Sequence, residues 1–94
     1  MRFTEQKRRE LIGRLVAAYS VNGRDALSKM SPVEVYVLHA EKMVELRATQ
    51  AHLRHYPHDE LGQVRYAKAE REANDIAGFL QEKQRSDREM EMER

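Results

Sequence analysis

Two rows of residues run through the second half of this chain as mirror images of each other. Tyr36, His39, Met43, Leu46, Gln50 and Leu53 recur at steps of three and four, and so do Gly62, Tyr66, Ala69, Ala73, Ile76 and Leu80. This is the spacing of a helical seam, because a turn takes ~3.6 residues and alternating steps keep returning to one face. In reverse order the rows pair 53 with 62, 50 with 66, 46 with 69, 43 with 73, 39 with 76 and 36 with 80, and each pair of numbers adds to 115 or 116. A constant sum implies two antiparallel helices, since each step up one must match a step down the other. The fold point is near Pro57 and His58, where proline cannot continue a helix.

Local signals place the remaining elements. Thr4 can cap a first helix, with Glu5 favouring its positive end, and Leu11, Ile12, Leu15, Val16, Ala18 and Tyr19 give it a broad apolar face. Ser20, Val21, Asn22 and Gly23 stop it, because Asn and Gly readily take the left-handed conformation that ends helices. Arg24 to Met30 allow about two turns with Ala26, Leu27 and Met30 inward. Ser31-Pro32-Val33-Glu34 then reads as a capping box with proline at the first helical position, starting a long helix to about Tyr56. Asp59 or His58 restarts a last helix to about Gln84, and the polar segment 85–94 is expected to fray.

The expected fold is therefore all-α. An antiparallel, coiled-coil-like helical hairpin carries an N-terminal helix and a short second helix at its base, in one domain over residues 1–84. Composition agrees: charged residues are 35% of the chain, against ~25% in typical domains, with only four glycines and two prolines. At 94 residues the chain buries about 60–65% of its unfolded surface, leaving little core around which to shape a catalytic cavity. Cysteine is absent, which excludes disulfides, thiolate metal sites and a cysteine nucleophile. No apolar run reaches the ~18 residues of a membrane span, and the N-terminus is too charged for a signal peptide. Cytoplasmic localisation follows as the expectation.

The third helix carries a second stripe, Val33, Val37, Ala40 and Val44, about 120° around from the seam at ~100° per residue. Val35 and Leu38 add apolar surface on another side. The hairpin partner and the first helix are too few to cover it all. Val33, Val35, Val37, Leu38, Val44 and Phe79 are accordingly the candidate protein-interaction residues, the partner being another protein or a second copy in a homodimer.

Other constellations point elsewhere. Residues 1–30 hold seven basic and three acidic side chains, and Arg2, Lys7, Arg8, Arg9 and Arg14 are the candidates for phosphate contact in an alternative nucleic-acid role. No aromatics are interleaved with them for base stacking. Residues 24–37 have helix-turn-helix order, but Val33, Glu34, Val35 and Tyr36 are poor readers of base edges. His52, His55 and His58 cluster at the hairpin tip beside Asp59 and Glu60, yet Pro57 breaks the helical face they would share to hold a metal. Glu41, Glu45, Glu70, Glu72 and Asp75 have basic neighbours in sequence, and no pocket pattern marks any of them as catalytic. His39 reads as a seam residue. No catalytic residue, metal site or cofactor is expected.

Between Arg9 and Tyr36, Glu10-Leu11-Ile12, Leu15, Leu27, Met30-Ser31 and Glu34-Val35 loosely resemble the helix, loop, helix segment of the short Fur-regulated basic proteins of bacilli. The resemblance implies a small helical regulator acting with RNA or as an adaptor. It spans less than a third of the chain and rests mostly on caps and apolar spacing.

Overall fold

The computed structural model describes the backbone of residues 4–92 and the side chains of residues 4–85. Four helices follow one another: α1 (Glu5–Asn22), α2 (Arg24–Lys29), α3 (Pro32–His55) and α4 (Glu60–Met92). No strand occurs among the described residues. The boundaries fall where the capping chemistry places them. Thr4 accepts a hydrogen bond from the Lys7 amide, and Gly23 ends α1 at φ 57°, its N–H donating to the Tyr19 carbonyl at 2.8 Å. Ser31 and Glu34 form the reciprocal capping box, with the Ser31 N–H donating to Glu34 Oε1 at 2.9 Å and the Glu34 N–H to Ser31 Oγ at 3.2 Å. Helix α4 runs on to Met92, past the Gln84 end read from sequence.

Helices α3 and α4 pack along each other. Leu53 lies beside Gly62, and the Lys42 ammonium stands 3.5 Å from a Glu72 oxygen, so positions rise on one helix as they fall on the other. Helix α4 presents the expected row: Gly62, Ala69, Ala73 and Ile76 are buried, with Tyr66 and Leu80 half-buried. Its glycine and alanines leave room for α3 to approach closely.

The contact face of α3 differs from the expected one by about one residue of rotation. Val35, Leu38 and Lys42 are buried and Leu46, Thr49 and Leu53 half-buried, whereas Tyr36 and Gln50 are exposed and His39 and Met43 only half-buried. Both phases share Leu46 and Leu53. The observed one puts Val35 and Leu38 inside, and that corrects their assignment as interaction residues: they are 0% and 1% exposed. Together with Leu15, Tyr19, Ala26, Leu27, Met30 and Ile76 they form the core where all four helices meet. Each large aliphatic side chain buried there contributes about 1.5–3 kcal/mol.

The rotated phase also draws two polar residues inward, and both are satisfied. Thr49 donates its hydroxyl to the Glu45 and Leu46 carbonyls within α3. Lys42, 3% exposed, places its ammonium 3.5 Å from both Glu45 Oε2 and Glu72 Oε2 and 5.9 Å from the centre of the Tyr19 ring. Tyr19 in turn donates to Asp75 Oδ2 at 2.7 Å, while Arg24 donates to Asp75 Oδ1 at 3.2 Å and reaches Glu82 at 3.7 Å. One polar network thus ties α1 and α2 to α3 and α4. Burial, then the bond to Asp75, pushes the Tyr19 hydroxyl far above its ordinary pKa.

Candidate interaction surface

The side of α3 facing away from α4 leaves apolar surface in water. Val33 is 71% exposed, Tyr36 67% and Val44 59%, with Ala40 also exposed between them. Val37 is half-buried because it packs against the core from the α1 side. Helix α1 therefore covers one edge of the second stripe and leaves the rest open. Along that edge runs a groove of about 190 Å³ lined by Arg8 and Ile12 from α1 and by Tyr36, Val37, Ala40, Glu41 and Val44 from α3. A larger depression of about 580 Å³ continues across α1 past Gly13, Val16 and Ala17.

The capping box fixes this face. By bonding Ser31 and Glu34 to each other's amides it sets where α3 begins, and the phase chosen by Val35 and Leu38 determines which residues point outward. Glu34 is occupied in that cap, and the Ser31 amide and hydroxyl hold its carboxyl below the usual range.

Of the interaction residues expected from sequence, Val33, Val37 and Val44 come together on this face. Phe79 does not: it is half-buried on α4 against the core, with the Lys83 ammonium 5.9 Å from its ring centre. Tyr36, placed in the seam by the sequence pattern, belongs instead to the surface stripe. The clue in the sequence was the competing row Val35, Leu38, Leu46, Leu53, which is more apolar at its start than the row containing Tyr36 and His39.

Lys7, Arg8, Arg9 and Arg14 are all exposed on α1, and Arg2 lies outside the described residues. The Arg9 contact to Glu5, 3.9 Å between two highly exposed side chains, contributes little. At the tip, His52 Nε2 is 2.7 Å from Asp59 Oδ2, and the His52 ring packs at 5.0 Å on Tyr56. The bond from His52, followed by the Gly62 amide, holds the Asp59 carboxyl below its ordinary pKa. His55 and His58 stand exposed, and no group of three His, Cys, Asp or Glu side chains is placed to hold a metal among the described residues. A second, separate set of exposed apolar residues, Tyr56, Leu61 and Val64, surrounds the tip.

No protein-family model, curated protein or solved structure matches the chain. No described helix is long and apolar enough to cross a membrane.

Proposed function

We propose that this chain is a small non-enzymatic regulatory or adaptor protein that works by binding a protein chain on the outward face of α3. The observation that carries the reading is the exposed stripe of Val33, Tyr36, Ala40 and Val44 on a helix whose opposite side packs against the rest of the fold. An apolar row left in water beside a groove is the usual form of a helix-docking surface. In this reading α3 and α4 act as an antiparallel, coiled-coil-like hairpin that stiffens the face, and α1 and α2 brace its base. The acids with shifted pKa values support a structural rather than a catalytic role, since Glu34 and Asp59 cap helix starts.

The test is capture from a native lysate together with chemical cross-linking, comparing wild type with the Val33→Glu, Val44→Glu double variant. Both positions are exposed, so helicity should persist while binding is lost. Identical behaviour of the two proteins would refute the surface.

Nucleic-acid binding by α1 is the alternative, favoured by the four exposed basic side chains Lys7, Arg8, Arg9 and Arg14. It requires affinity that falls steeply with salt, because each phosphate contact releases condensed counterions. Binding that ignores salt, or survives reversal of Arg8 and Arg9 to Glu, rejects it.

A further inference from the structure

We infer that the occupant of the outward face of α3 is a second copy of this chain, packed antiparallel across a twofold axis near the level of residue 42. The inference rests on the interaction reading above and deepens it by naming the partner.

The first ground is shape. At ~100° per residue, Val33, Tyr36, Ala40, Val44, Arg47 and Ala51 fall within an arc of about 80° on α3, and all six are exposed. Along this arc two larger residues are followed by an alanine, twice over. Laid against itself in reverse, the row places Val33 of one copy on Ala51 of the other and Val44 on Ala40, both pairs adding to 84. On one flank Val37 meets Ala48, adding to 85, and on the other Tyr36 meets Arg47, adding to 83. In these three pairs each valine faces an alanine, so one interaxial distance serves them all. The remaining pair puts a guanidinium on an aromatic ring.

The second ground is charge. Between Val33 and Ala51, the span that would pair, Arg47 is the one charged residue in the arc. A parallel, in-register pair would set Arg47 on Arg47, Val33 on Val33 and Ala40 on Ala40, giving like charge on like and bulk alternating with gaps. The antiparallel pair separates the two Arg47 levels by ten residues, about 15 Å along the helix, which exceeds the ~8–10 Å screening length of ordinary buffers.

Sedimentation of the full chain between about 1 and 100 µM, the range that reads a micromolar Kd, tests the occupant. Wild type should pass from one chain to two with concentration, and Val44→Glu should weaken association at least about tenfold because the twofold axis presents the change twice. Val21→Glu, at a residue 80% exposed outside the face, should leave it unchanged. The arrangement is read from cysteines. Val33→Cys with Ala51→Cys, about 27 Å apart within one helix and the only thiols in the chain, should oxidise to a covalent dimer, while neither single variant does. A wild type monomeric throughout overturns the inference. If the Val33→Glu, Val44→Glu variant nevertheless loses a captured protein, the interaction surface stands with a different occupant. Dimerisation indifferent to Val44→Glu, or cross-linking by the single-cysteine variants, also overturns it.

Discussion

Replacing Glu72 with Gln should destabilise the protein far more than replacing Lys42, its partner, with Met. The Lys42 side chain is 4% exposed and its ammonium is held by two carboxylates at 3.5 Å, of which Glu45 is half in solvent and Glu72 only 16% exposed. At an effective dielectric of ~20, one such pair has a gross attraction of about 5 kcal/mol. Desolvation offsets most of this, and 3.5 Å is long for a charge-assisted hydrogen bond. Glu45, screened by water, adds little. Glu72→Gln therefore leaves a buried ammonium with one weak partner, an expected cost of about 1–3 kcal/mol. Lys42→Met keeps an unbranched stem beside Tyr19 while removing the charge that has to be buried, so the change should stay within about 1 kcal/mol in either direction. In the double variant the two effects should fail to add by at least about 1 kcal/mol. Thermal unfolding followed by far-ultraviolet circular dichroism resolves this, because 1 kcal/mol moves Tm by about 4–8 °C in a domain of this size. A Glu72→Gln variant melting within about 2 °C of wild type, or single changes that add to within ~0.3 kcal/mol, would refute the coupling.

Three further outcomes are expected. Gly78→Ala, with nothing within 4 Å of the new Cβ, should stabilise by about 0.5–1 kcal/mol through helix propensity, whereas Gly62→Ala forfeits that gain because its Cβ meets Asp59 Oδ2 at 3.0 Å and Leu53 Cδ2 at 3.1 Å; equal melting shifts for the two would contradict the packing at the tip. Asp59 has a folded-state pKa below its unfolded value, so its contribution is present above the unfolded value and lost as pH falls through the folded one, below about pH 4. Stability against pH for Asp59→Asn should be flatter there, and curves parallel to wild type would contradict the His52 bond. Tyr19 has a raised folded-state pKa, so its contribution is complete below the unfolded value near ~10 and is lost as pH climbs beyond it. Tyr19→Phe should abolish that alkaline loss while costing about 0.5–1.5 kcal/mol at neutral pH for the missing bond to Asp75; an unchanged alkaline limb in urea titrations would show that the hydroxyl is not held as described.

The register of α4 was legible because its row is chemically uniform. Gly62, Ala69, Ala73 and Ile76 have no competing face of similar apolarity, so periodicity alone selects the buried side. Helix α3 is ambiguous for the opposite reason. Val33, Val35, Val37 and Leu38 put aliphatic groups on several sides of its first two turns, and two seams one residue apart share Leu46 and Leu53. Apolarity favours Met43 over Lys42 at the middle of the seam and so points to the wrong phase. The candidate surface inherited that ambiguity: Val33 and Val44 lie on the exposed stripe, Tyr36 lies there with them, and Val35 and Leu38 are buried in the core.

Caps and breaks depend on neighbours within four residues, which is why Thr4, Gly23, Ser31 with Glu34, and Pro57 set the helix boundaries from sequence alone. The pairing of α3 with α4 follows from the constant sum, which needs only two helices and one short connection. The rotation of α3 is a tertiary quantity. It was decided by Val35 and Leu38 filling the core against the other helices, and Lys42 is tolerable on that side because Glu72 on α4 and the Tyr19 ring on α1, 30 and 23 residues away, meet its buried ammonium. That same rotation turns Tyr36 and Val44 toward water, because a residue's partners across the fold, rather than its neighbours along the chain, decide which side of a helix can be buried.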